Sequence, residues 1–150
     1  MKKGQVSALE RAIQISVKAH EGQRDKAGRP YVLHPLRLML KMNSEIEMIA
    51  AVLHDVVEDT EWSMGDLRNE GFSNEVLGIL ECLTHRNDED YETYIRRIKT
   101  HPIATKVKLA DLEDNMDLTR IDKPKEADFK RVEKYRKAWL ALGNSTAECK

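Results

Sequence analysis

The sequence predicts a single all-α domain, and three observations carry that prediction. Apolar residues recur at helical rather than alternating spacing, Ser and Pro stand where helices open, and no β-hairpin dipeptide separates two alternating runs. A chain of 150 residues can bury most of its apolar surface in one core without disulfides or structural metal. Ser7 and Glu10 have capping-box spacing, and Leu9, Ala12, Ile13 and Val17 follow on one face, giving a first helix over about residues 8–21. Gly22, Gly28 and Pro30 then make residues 22–30 a loop. Pro35 favours the first position of a second helix and leaves His34 at its entrance. Ser44 and Glu47 form another capping box and open a central helix that runs through residues 48–59.

Shorter units follow. Ser63 and Asp66 suggest a cap, Gly71 a stop, and Ser73 a new start for a helix reaching about Thr84. The run HRNDED reads as a turn and YETYIRRIKT as a helix; Pro102 begins the next helix, which carries Lys108, Asp111 and Asn115. A last amphipathic helix spans about 126–142, with Phe129, Val132, Trp139 and Leu142 expected in the core and Gly143 just beyond. The expectation is seven or eight helices over residues 1–143 and a tail at 144–150.

Composition excludes several classes of function. Lys plus Arg number 25 against 26 Asp plus Glu, with no long basic block, which disfavours nucleic acid. The chain opens directly into a charged amphipathic helix and nowhere runs eighteen apolar residues together, so neither a secretory signal nor a membrane span is expected. Cys82 and Cys149 lie outside any CxxC pattern and fit reduced cytoplasmic thiols. No coiled-coil seam identifies an oligomer.

The segment MIAAVLHDVVED, residues 48–59, carries the chemistry. His54, Asp55, Glu58 and Asp59 interrupt an apolar run, and buried carboxylates are costly unless they are paired or bind a metal. On a continuous helix His54 and Glu58 share one face, with Asp55 and Asp59 beside them, while Ile46, Ile49, Ala50, Leu53 and Val57 form the opposite stripe. His34 and Asp111 add donors from elsewhere. Two imidazoles and two carboxylates suit Mn²⁺, Fe²⁺, Co²⁺ or Zn²⁺ better than Ca²⁺. Glu58 is not needed as a ligand and is placed to handle a proton.

The order AHEGQ, KAGRPYVLHPLRL, AAVLHDVVEDT and VKLADLEDNMD resembles the HD-domain superfamily, and more narrowly the hydrolase domain of the RelA/SpoT family and the stand-alone small alarmone hydrolases. The resemblance runs in order through most of residues 8–120. It implies an HD-type helical domain, residues 1–143, holding one Mn²⁺ and removing the 3′-pyrophosphate of guanosine tetra- or pentaphosphate. By position it puts the metal on His34, His54, Asp55 and Asp111, makes Glu58 and Asp59 the catalytic pair and places Asn115 beside the substrate.

Lys26 and Arg24 are candidate phosphate contacts, the alternative being solvated loop residues. His20 is either a pocket contact or a hydrogen-bonded core histidine. The chain departs from the family at Asp25, where an Arg that stacks on guanine is usual, and in LADLEDNMD, where LADRLHNMR is usual. Glu113, Asp114 and Asp117 read as a solvated acidic helix end or as a second cation site. The alternatives to an alarmone hydrolase are a hydrolase of another nucleotide or phosphoester, and a non-catalytic nucleotide-sensing module that keeps the metal fold.

Overall fold

The computed structural model describes residues 4–143; Cys149 and the expected tail at 144–150 lie outside them. The described residues form α1 (Ala8–Ala19), α2 (Leu33–Leu40), α3 (Glu45–Leu53), α4 (Val56–Asp59), α5 (Met64–Asn69), α6 (Asn74–Leu83), α7 (Tyr91–Lys99), α8 (Pro102–Met116) and α9 (Glu126–Gly143), with a 3₁₀ turn at Leu118–Arg120. Their one β contact is an isolated bridge between Arg24 and Pro30 that closes the loop after α1. No helix among them is long and apolar enough to cross a membrane.

The capping residues act much as their spacing implies. Ser7 with Glu10 and Ser63 with Asp66 form reciprocal boxes, each satisfying two backbone N–H groups that a helix start leaves unpaired. At α3 only half of the expected box forms. Ser44 accepts from the Glu47 N–H, but the Glu47 carboxylate turns to Lys106 of α8, 2.6 Å away. Pro35 lies inside α2 rather than at its first position, because the helix begins at Leu33. Gly71 has φ +89°, the left-handed backbone that stops α5 and that a side chain would strain.

The central helix is not continuous. Residues 49–53 are all buried, so the second half of α3 is apolar on every side and has no solvent face on which to display a site. It packs on α1, α2, α6 and α8. Ala50 and Ala51 enter a core shared with α2, α6, α7, α8 and α9, while Ile49, Val52 and Leu53 enter a second core with α1, α5 and α6. After Leu53 the chain makes a turn at His54 and Asp55 and resumes as α4. The polar residues therefore emerge from the end of α3, not from its side.

In α9 the expected core stripe is displaced. Ala138 and Leu142 are buried with Tyr135 packed against the core, whereas Phe129 and Trp139 are 53% and 36% exposed. The helix uses its small residue, Ala138, to lie close to the core. Trp139 instead covers the surface of α8, its Nε1–H donating to Glu113 at 3.0 Å.

Because Leu53 is fully buried between these layers, Leu53→Ala should lower unfolding stability by about 2–5 kcal/mol, the range for truncating a core leucine. Urea denaturation would show it as a lower midpoint with an unchanged slope.

Candidate metal centre and its cavities

Three helix-borne segments converge at the break after α3. His34 comes from the first turn of α2, His54 and Asp55 from the break itself, and Asp111 from the middle of α8. One ligand atom from each of these four residues lies within 4.8 Å of the others. The break is stabilised locally: His54 Nδ1 sits 2.7 Å from the Ala51 carbonyl, which also accepts the His54 backbone N–H at 3.4 Å. A carbonyl can only accept, so Nδ1 carries the hydrogen and the Nε2 lone pair points into the cluster.

That lone pair faces other acceptors. His54 Nε2 is buried without a hydrogen-bond partner among the described residues, yet lies 3.0 Å from Asp55 Oδ2 and 3.4 Å from Asp111 Oδ1. His34 repeats the arrangement, with Nδ1 2.7 Å from Asp114 and Nε2 2.9 Å from Asp111 Oδ1. Acceptors held this close repel unless a proton or a cation stands between them. Burial by itself would push the His54 imidazolium down, but the Asp55 and Asp111 carboxylates outweigh it and hold its pKa well above the usual range. Burial likewise pushes Asp111 up, and Lys108 with the two imidazoles overcomes it to keep the group ionised well below the ordinary range. A divalent cation could take the protons' place, and the mixed nitrogen and oxygen donors fit a transition metal.

The remaining lone pairs are tied down. Tyr31 O–H donates to Asp55 Oδ2 at 2.5 Å, Lys108 Nζ donates to Asp111 Oδ2 at 2.8 Å, and Asn115 Nδ2 donates to Asp111 Oδ1 at 2.9 Å. Burial, then the Asp55 charge, raises the Tyr31 phenol far enough that it stays a donor.

No family model matches the chain. Over 121 residues it is 31% identical to the guanosine-3′,5′-bis(diphosphate) 3′-pyrophosphohydrolase of Aquifex aeolicus, covering 72% of this chain and 17% of that protein. Over 139 residues it is 31% identical to the GTP pyrophosphokinase of Streptomyces coelicolor, covering 83% and 16%. A solved structure of a metazoan ortholog of SpoT that hydrolyzes ppGpp superposes with a TM-score of 0.73 at 24% identity, covering 93% of this chain and 88% of that one. This is a RelA/SpoT hydrolase-like HD-domain protein. It spans about a sixth of the length of these curated relatives.

Two cavities of the HD domain meet at the cluster. One, about 260 Å³, lies over it and is lined by Asp55, Asp111, Glu58, Lys108 and Asn115 among others. The other, about 370 Å³, is lined by Arg24, Asp25, Lys26, Arg37, Arg120 and Arg131 among others. Tyr31, Asn115 and Tyr135 belong to both linings, so the two form one cleft running from the cluster to a basic loop.

Glu58 and Asp59 together line an adjoining cavity with Gln23 and Trp62, and Glu58 also lines the cavity over the cluster, where it accepts the backbone N–H of His85. Burial, reinforced by the Asp55 and Glu58 charges, raises Asp59 to about 6. His20 lines neither part of the cleft. It is buried, its Nδ1 2.8 Å from Gln23 Oε1 and its ring 5.0 Å from Tyr31, which it backs.

Glu113 and Asp117 are exposed, as a solvated acidic helix end would be, but Asp114 is not. Asp114 is buried against His34 and Arg37. Asp117 caps Thr119 and pairs with Arg120, and Glu113 receives Trp139. Asp25 is likewise structural: its Oδ1 accepts the N–H groups of Ala27 and Arg29, both at 2.9 Å, and so holds the loop in its turn.

Sequence reasoning missed Tyr31, Lys108, His85 and the role of Asp114. A signal existed for two of them, since Lys108 and Asp114 stand three residues either side of Asp111 on α8 and share its face. Nothing local marked His85, whose position depends on Arg97 of α7 holding the Cys82 and Thr84 carbonyls at 2.8 and 3.0 Å and Glu89 at 2.5 Å.

His54→Ala should take up no stoichiometric Mn²⁺ in an equilibrium titration, while His20→Ala should bind it like wild type. Since the folded state holds the Asp59 proton up to about pH 6, above its unfolded pKa, Asp59 contributes stability at low pH that is lost as pH rises through that value. In metal-free protein Asp59→Asn should therefore raise the melting temperature at about pH 7.5 and not at about pH 4.

Proposed function

We propose that the domain, residues 1–143, is a metal-dependent phosphohydrolase acting on a soluble nucleotide, with guanosine tetraphosphate as substrate, its 3′-pyrophosphate passing to water and the 3′-oxygen of the nucleotide leaving. The metal is Mn²⁺, the protein works in the cytoplasm, and residues 144–150 are a tail outside the domain. The observation that carries this reading is the convergence of His34, His54, Asp55 and Asp111 beside a cavity that Asp55, Asp111 and Glu58 line. The relative from Aquifex aeolicus carries the name of this reaction, which supports the choice of substrate.

A metal held by these four residues would lower the pKa of a water and polarise a phosphoryl oxygen. Glu58 takes the water's proton. Its Oε1 accepts the His85 backbone N–H, which holds the carboxylate in the lining of the cavity. Lys108 is buried beside Asp111, 5.2 Å from the Tyr94 ring centroid, and supplies fixed positive charge where the phosphoryl group gains negative charge. Asn115, shared by both parts of the cleft, holds the substrate at the junction. Arg24 and Lys26 take the phosphates farther out, at the loop.

A second reading, hydrolysis of another nucleotide or phosphoester, is favoured by Asp25. Its carboxylate faces the cleft where the resemblance leads one to expect a guanidinium, and it is pinned there by the loop backbone.

Purified Mn²⁺-loaded protein should release pyrophosphate from guanosine tetraphosphate. Turnover of another phosphoester but not of this one would leave the chemistry and replace the substrate, and no turnover of any would remove the proposal. Glu58→Gln should keep the metal but slow the reaction about 10²-fold or more, the scale of losing a general base. Arg24→Ala should raise KM with kcat little changed, as for a contact made equally in the ground and transition states.

A further inference from the structure

Asp114 stands between the metal cluster and the basic end of the cleft. It is buried, and donors reach it from two elements, α2 and the 3₁₀ turn. His34 Nδ1 lies 2.7 Å from Oδ2; Arg37 Nε and Nη2 lie 2.9 Å from Oδ1 and Oδ2, a bidentate fork; and Arg120 Nη2 lies 3.4 Å from Oδ2. The arrangement comes from two facing helices. His34 and Arg37 are three residues apart on α2, Asp111 and Asp114 three apart on α8, and these helices pack together. The pairs therefore interlock: one oxygen of Asp111 meets His34 Nε2, while Asp114 receives the opposite side of the same ring.

We infer that Asp114 is a positioning residue for the metal centre, acting through His34, and that Arg37 is the residue that holds it in place. This rests on the reading of the four-residue cluster as a metal site. A ring that donates Nδ1–H to a carboxylate has its Nε2 lone pair fixed in direction and made more basic, which strengthens it as a ligand. Asp114 buried without partners would be unstable as an anion, and the planar fork of Arg37 matches a carboxylate in both charge and shape.

Arg37 and Arg120 thus line the cleft without being available to substrate phosphates. Arg131 is similarly engaged by Asp128, at 2.5 Å. The loop residues Arg24 and Lys26 are left as the cationic contacts for an anion at this end. In the family pattern a histidine occupies the position of Asp114. The change is coherent here because Arg37 supplies the counter-charge.

The test reads metal binding rather than turnover, so its outcome is independent of which substrate the domain cleaves. Chelator-treated protein would be titrated calorimetrically with Mn²⁺, with Co²⁺ absorption as a spectroscopic check on the ligand field. Asp114→Asn should weaken Mn²⁺ binding by about 10–100-fold, the range for losing a residue that orients a metal-bound histidine, and should shift the Co²⁺ spectrum while far-ultraviolet circular dichroism stays as in wild type. Arg37→Met, at a half-buried position that tolerates an apolar chain, should weaken binding in the same direction. Added to Asp114→Asn it should cause no further loss, because Arg37 acts only through the carboxylate. Unchanged metal affinity in Asp114→Asn would overturn the inference alone, and so would additive losses in the double variant or an Arg37→Met protein altered only in KM. Absence of metal uptake by wild type would overturn the metal reading and this inference with it.

Discussion

Two carboxylates, Asp55 and Asp111, are buried within reach of each other and of two imidazoles, and the architecture around them is organised to offset that charge. Without compensation they would repel one another in a low-dielectric interior where neither could remain ionised. The protein supplies a phenol, an amide and an ammonium in Tyr31, Asn115 and Lys108, each donating to an oxygen of the pair. These contacts satisfy the outer lone pairs and leave the inner ones facing His34 and His54. What remains is a pocket of aligned acceptors that calls for a cation at its centre.

Producing that pocket requires α3 to end where it does. A helix buried between two cores gains stability from apolar residues on all sides, and a polar residue on any of its faces would be stranded among them. At the helix terminus the constraint changes. The last carbonyls lack the usual i+4 partner and the dipole favours positive charge, so a histidine can donate to a carbonyl with Nδ1 and direct Nε2 away from the helix. The same step that terminates the core helix thus fixes the imidazole for ligation and turns the chain into α4, which carries Glu58.

Charge is then graded along the cleft. Near the cluster it is held in buried pairs, Lys108 with Asp111 and Arg37 with Asp114. Toward the loop it becomes exposed, with Arg24 and Lys26 on either side of an aspartate that shapes the backbone. An anion approaching from the loop would meet exposed cations first and paired, less exposed ones only beside the cluster. Rigid donors belong where charge develops in a reaction, since they cost no reorganisation at that moment.

Helix positions were legible in the sequence because caps and breakers act locally: Ser7, Ser63 and Gly71 do in the structure what their residue types imply. His54 and Asp55 were legible as well, because polar residues embedded in an apolar run have few physical outlets; the family pattern joined His34 and Asp111 to them. Periodicity misled where it assumed a solvent face. It ran one helix through to Asp59 with a polar side, where α3 ends at Leu53 before those residues, and it assigned Phe129 and Trp139 to a core that α9 approaches instead through Ala138. The partners of the donors could not be read at all. Asp114 looked like one of several surface acids until α2 was seen to bring His34 and Arg37 against it from 80 and 77 residues away. The chain alone thus determined which residues needed compensation. Only the packing of α2 on α8 decided what compensates them, because hydrogen bonds and ion pairs between distant segments depend on distances that one-dimensional spacing does not contain.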